Sequence, residues 1–121
     1  MYTVLRFQAS NETRLLLFHF GTRLNALVPG AFDGMDEEAN RFSCTVSSDG
    51  DAATHILTIV RYLNRIEGVL SDAVAANISM ELDIAVEPGD LASIRFDSVT
   101  ISLLAMYSIG LEITDYRSPS G

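Results

Sequence analysis

Lysine and tryptophan are absent from these 121 residues, cysteine occurs once and proline only three times. Each shortage excludes something. The lone Cys44 cannot close an internal disulfide, so nothing points to a bridged, secreted scaffold. Few Pro, eight Gly and 48% apolar residues argue against a disordered chain, which needs low hydrophobicity. Apolar runs such as Leu15 to Phe18 fall far short of the ~20 residues that cross a bilayer. The opening Met1-Tyr2-Thr3-Val4-Leu5-Arg6-Phe7 lacks the basic stretch, apolar core and small-residue cleavage site of a secretion signal. A cytoplasmic protein without membrane contact is the expectation. The length suits one domain, with residues 118–121 (Ser-Pro-Ser-Gly) as a frayed tail.

Charge of one sign is also scarce. Sixteen acids face eight bases, all of them Arg, for a net charge of −8. The excess is uneven. Residues 1–32 carry three Arg against one Glu, and residues 33–51 carry six acids against one Arg. Residues 52–80 balance, and residues 81–121 carry seven acids against two Arg. Such a surface repels a phosphate backbone, so nucleic-acid binding is not expected. It attracts a cationic protein and speeds the encounter. Solubility alone is the bland explanation of the same charge.

Periodicity gives an α+β order. Tyr2 to Ala9 alternates and is rich in strand formers. After an N-cap at Ser10-Asn11, Leu16, Leu17, Phe20, Leu24, Leu27 and Val28 recur at helical spacing until Pro29-Gly30. Thr13 to Phe20 also fits a second strand hairpinned with the first. Ala31 to Asn40 reads as an acidic loop, and Arg41 to Ser47 as a strand burying Phe42, Cys44 and Val46. Ser48-Asp49-Gly50-Asp51 then turns the chain and caps a helix. Its apolar stripe is Ile56, Ile59, Val60, Leu63, Ile66 and Leu70, with His55, Thr58, Arg61, Tyr62 and Arg65 opposite. Ser71 to Asn77 extends or restarts that helix after Gly68. A half-buried strand follows over Ile78 to Val86, then a turn at Pro88-Gly89-Asp90 and a short edge strand at Ser93 to Phe96. Ser98 caps a helix through Ile109, Gly110 takes the left-handed position that ends it, and Leu111 to Tyr116 is the last strand.

This order resembles a ferredoxin-like sandwich: an antiparallel or mixed sheet with helices on one face, plus an extra C-terminal helix and strand. The second half carries a narrower resemblance. Glu81-Leu82-Asp83-Ile84-Ala85-Val86, Ile94-Arg95-Phe96-Asp97-Ser98 and the stretch Leu103 to Tyr116 are similar to the ending of a bacterial family of small domains of unknown function. There a strand precedes a Ser-capped helix, a Gly and a closing strand that ends in Tyr. Family members usually carry Trp, which this chain lacks. Some members stand beside polymorphic or contact-dependent toxins and are regarded as their immunity proteins. The resemblance implies a protein partner, a basic toxin domain, and no catalytic residues.

The residues agree on the missing chemistry. His19 and His55 lie in a helical run and near a helix start without a nucleophile signature around them. No Gly-rich phosphate loop follows a strand, and the acidic stretches lack the ligand spacing of a calcium loop. Neither cofactor nor metal is expected. The constellation with a role to offer is acidic: Asp33, Asp36, Glu37 and Glu38, with Asp49 and Asp51 beyond the next strand. Crowded carboxylates gain nothing for folding and can meet Arg or Lys of a partner. The functional expectation is an acidic binding protein that neutralises a cationic toxin, plausibly a nuclease, by covering its active surface. The alternative is a homo-oligomeric structural or small-ligand-binding domain.

Overall fold

The computed structural model describes residues 1–30, 32–86 and 94–115. Nine elements follow one another: β1 (Tyr2–Gln8), α1 (Arg14–Leu27), β2 (Phe32–Asp36), β3 (Arg41–Ser47), α2 (Ala52–Arg65), α3 (Glu67–Ala75), β4 (Ser79–Val86), α4 (Ser98–Met106) and β5 (Ile109–Asp115). The five strands form one sheet in the order β2-β3-β1-β4-β5. β1 runs antiparallel to both β3 and β4, and β2 antiparallel to β3. This is the ferredoxin-like arrangement. β5 extends it by pairing parallel with β4, and α4 is the crossover that a parallel neighbour requires.

Period-two patterning decides what the sheet buries. Leu5 and Phe7 of β1, Phe42 and Cys44 of β3, and Met80, Leu82, Ile84 and Val86 of β4 all point to one face. Helical stripes from Leu17, Phe20 and Leu24 of α1, Ile56, Ile59 and Leu63 of α2, and Val69, Leu70 and Ala73 of α3 close over it. Each such large side chain contributes about 1.5–3 kcal/mol when fully buried. Phe7 and Phe42 sit opposite one another in the register, their rings stacked with centroids 4.5 Å apart. Cys44 is wholly buried in this layer. Its thiol should therefore react with a thiol reagent only on unfolding. Native labelling as fast as that of denatured chain would disprove the β3 register.

The structure decides one local alternative and corrects several expectations. The helical spacing of Leu16, Leu17, Phe20 and Leu24 does form α1, which takes in residues 14–20, and the alternative strand from Thr13 to Phe20 is not formed. The apolar look of residues 14–20 on every side arises because Leu15 and Phe18 remain exposed while Leu17 and Phe20 are buried. Thr13 occupies the α1 N-cap position without a capping side-chain bond, although its hydroxyl accepts from the Ser10 amide at 3.1 Å. The stretch read as an acidic loop contains β2, an edge strand with an irregularity between Phe32 and Gly34. Ile94 to Asp97 is not a strand, and Ser93 lies outside the described residues. The cap of α4 is Asp97, which accepts from the Thr100 amide and hydroxyl, each at 2.8 Å. Ser108, with φ 53°, takes the left-handed position after α4, whereas Gly110 is already inside β5. Pairing of Ile109 with Met80 starts the strand that early. The long amphipathic helix breaks at Ile66, whose amide reaches both Leu63 and Tyr62 carbonyls, so that Val69, Leu70 and Ala73 also turn inward.

Candidate binding surface on the open sheet face

Alternation that sends one set of side chains into the core sends the other set to the opposite face, where no described helix lies. From β1 this face receives Arg6 and Gln8, from β3 Arg41 and Ser43, from β4 Ser79, Glu81 and Asp83, and from β5 Glu112 and Thr114. Register brings the charged ones together. Arg6 lies opposite Glu81, and Asp83 lies between Val4 and Glu112. Arg6 Nη1 donates to Asp83 Oδ2 at 3.2 Å, and Thr114 Oγ1 donates to Asp83 Oδ1 at 2.7 Å. Asp83 is buried beneath these partners, its two oxygens both engaged.

Glu81 and Glu112 differ from Asp83 in being exposed. Their side chains hydrogen-bond each other, which pushes the Glu112 carboxyl above its ordinary value. The charges of Asp83 and Glu81 act in the same direction, and Arg6 opposes them. The face therefore sets three carboxylates, Glu81, Asp83 and Glu112, against two guanidiniums, Arg6 and Arg41. Beside them a hollow of about 190 Å³ is lined by Arg6, Gln8, Arg41, Ser79 and Glu81. Two guanidiniums and one carboxylate line this hollow, so a guanidinium or ammonium group of a partner is met instead outside it, at the exposed Glu81–Glu112 pair, where two carboxylates suit forked hydrogen bonding.

The six acids singled out in the sequence do not converge on one site. Asp36, Glu37 and Glu38 lie at the β2–β3 turn, while Asp49 and Asp51 lie past the far end of β3. Seven strand residues separate the two groups, roughly 20 Å. Asp36 serves the turn: its Oδ1 accepts from the Ala39 amide at 3.1 Å and its Oδ2 lies 3.8 Å from Arg41 Nη2. Asp51 caps α2 by accepting from the Thr54 amide at 2.9 Å, and this bond holds its carboxyl below the usual range. Glu37, Glu38 and Asp49 are exposed. Asp33 lies in β2 with its side chain outside the described residues. Glu81, Asp83 and Glu112 are brought together only by strand order. The alternation of Ser79, Glu81 and Asp83 was the visible signal; the neighbourhood of β5 was not.

Two other features bear on function. His55, placed on the polar face of its helix by the sequence pattern, is wholly buried. Its Nε2 lies 2.7 Å from Thr3 Oγ1 and its Nδ1 lies 2.7 Å from Ser48 Oγ. The ring thus ties α2 to β1 and to the end of β3. Burial, and then the Met1 amino group, hold its pKa below the ordinary value. The second feature is an apolar groove of about 540 Å³ between α2 and α4, lined by Ile56, Leu57, Val60, Phe96 and Val99 among others. Among the described residues, no group of three or more His, Cys, Asp or Glu is placed to hold a metal ion, and no helix is long and apolar enough to cross a membrane.

No family model matches the sequence, and no curated protein matches it. Among solved structures, the crystal structure of MupZ from Pseudomonas fluorescens is similar in fold. The TM-score is 0.51 at 11% sequence identity, over 99% of this chain and 95% of that one. At that identity the likeness concerns the fold alone.

Proposed function

We propose that the chain is a non-catalytic binding protein that neutralises a cationic toxin domain, a nuclease by its charge preference, by covering the toxin's basic surface. The observation that carries this reading is the crowding of Glu81 and Glu112 beside Asp83 on the uncovered sheet face. Such crowding costs the free chain and is relieved when a cationic group of a partner sits among the carboxylates. The acidic side chains then stand where the toxin otherwise holds phosphates. The net charge of −8 adds long-range attraction, and the family resemblance supplies the kind of partner. The reading is tested by co-expression with the basic C-terminal domain of a large secreted protein encoded beside this chain. Growth of cells making that domain should be restored, and the two proteins should co-purify at low salt. Persistent growth arrest with no complex overturns it.

A second reading, a small-ligand-binding domain, is favoured by the α2–α4 groove, whose volume and apolar walls fall in the range of ligand pockets. A stable complex with a basic toxin domain that leaves this groove open would remove the need for it.

A further inference from the structure

The two edges of the sheet are not alike. β2 is five residues long, its register breaks between Phe32 and Gly34, Gly34 has φ 150°, and Asp36 closes the strand. Shortness, irregularity and charge are what keep an edge from pairing with another chain. β5 is longer and regular, and its charges, Glu112 and the closing Asp115, stand clear of the apolar positions Ile109, Leu111 and Ile113. Its seven residues pair with β4 without a register break, from Ile109 against Met80 to Asp115 against Val86, and they include neither Pro nor Lys. Among the described residues no strand pairs with its outer side.

An apolar strip runs along that side. Leu111 and Ile113 point to the helix-covered face yet remain 42% and 38% exposed. In α4, Val99, Ser102 and Met106 line a groove against α2, and at 3.6 residues per turn Ile101 falls on the opposite flank, toward the β5 edge. Ile101 is 55% exposed.

We propose that a second copy of this chain pairs with β5, antiparallel about a two-fold axis through Leu111, so that the two sheets become one. The apolar positions of β5 are symmetric about Leu111, which suits a second copy of the same strand. With Leu111 on the axis, Leu111 meets its own counterpart, Ile109 meets Ile113 and Gly110 meets Glu112 of the other copy. Moving the axis to Glu112 would set two glutamates directly opposite, which is destabilising. Gly110 gains a reason in this arrangement. Its φ is not positive, and a Cβ there would meet Glu81 Cγ at 3.7 Å and Met80 O at 3.8 Å, both ordinary contacts. Packing within one copy does not demand glycine, whereas an opposing Glu112 gains room from it. The strip of Ile101, Leu111 and Ile113 is covered at the same time by its symmetry equivalent.

Both copies carry a net charge of −8, so their pairing should tighten as salt screens the repulsion, opposite to the binding of a cationic partner. The test is sedimentation equilibrium of the 121-residue chain from micromolar to near-millimolar concentration, at low and high salt. A monomer–dimer equilibrium that tightens with salt is expected. Ile113→Lys should raise the dimer Kd about tenfold or more while leaving the monomer's melting transition in place. Gly110→Gln, which fills the room that Glu112 uses, should weaken the dimer, and Gly110→Glu, equal in size but like in charge, should weaken it further; this pair remains decisive if the Ile113 variant fails to fold. A chain that stays monomeric, a dimer indifferent to Ile113→Lys, or Gly110→Gln and Gly110→Glu dimers as tight as the parent would overturn the proposal.

Discussion

A His55→Leu variant should lose about 1.5–4.5 kcal/mol of stability at neutral pH, the sum of two hydrogen-bonding losses, although leucine fills much of the ring's volume. The loss comes from the hydroxyls left behind. Thr3 is buried and its Oγ1 faces the ring at 2.7 Å, so it becomes an unpaired polar group that costs about 1–3 kcal/mol. Ser48 loses its bond to the other nitrogen, which adds about 0.5–1.5 kcal/mol. Adding Thr3→Val to the His55→Leu variant should recover part of the loss, because the orphaned hydroxyl is then gone. The pH dependence is a second signature. The folded pKa of His55 is depressed from its ordinary 6.5 by burial and by the Met1 amino group. Above about pH 6.5 the ring is neutral in both folded and unfolded chains, and its contribution is complete. As pH falls below that value the unfolded chain takes up a proton that the folded chain resists, so stability declines toward the lower folded pKa. The His55→Leu variant should lack this limb. Urea unfolding between about pH 5 and pH 8, the span in which histidine titrates, makes the comparison. Equal stability and an equal slope for parent and variant would refute the buried Thr3–His55–Ser48 arrangement.

That His55 was read as surface shows where local pattern stops. In α2 the stripe Ile56, Ile59 and Leu63 was legible because apolar residues at helical spacing bury themselves on any apolar partner. A histidine is buried only where matching hydroxyls wait. Thr3 is 52 positions away, and only the pairing of β1 with β3 brings it and Ser48 to the same ring. The same limit governs the carboxylates. The acidic face of β4 was visible in its alternation, but the raised Glu112 depends on β5 lying parallel to β4, a matter of strand order. The β2 edge was lost for a different reason: Asp33-Gly34 is turn chemistry, and here it sits at a strand irregularity. The closing of α4 also went beyond the sequence signal. A glycine shortly past a helix suggests the left-handed position, yet the demand of Ile109 to pair with Met80 moved that position to Ser108.

Neutralising the sheet-face carboxylates and neutralising the acidic turn should damage binding in different ways. Glu81→Gln with Glu112→Gln leaves the Asp83 bonds to Arg6 and Thr114 in place and removes the like-charge crowding, so the fold should persist. If Glu81 and Glu112 hold a cation of the toxin domain away from water, the complex should dissociate at least about tenfold faster, since a broken buried pair costs about 2–5 kcal/mol. Asp36→Asn, Glu37→Gln and Glu38→Gln together, with Asp33→Asn, alter a solvated turn at the start of β3 and the strand that leads into it. Exposed charges contribute little to folding and act mainly on encounter. This variant should slow association and flatten its salt dependence while dissociation stays near the parent rate. Association and dissociation rates against the toxin domain, at low and moderate ionic strength, separate the two roles. An unchanged dissociation rate in the Glu81 and Glu112 variant would remove the sheet face from the interface. If the turn variant then raised the dissociation rate instead, the contact would centre on the β2–β3 end, and the crowding of Glu112 would be a property of the free chain alone.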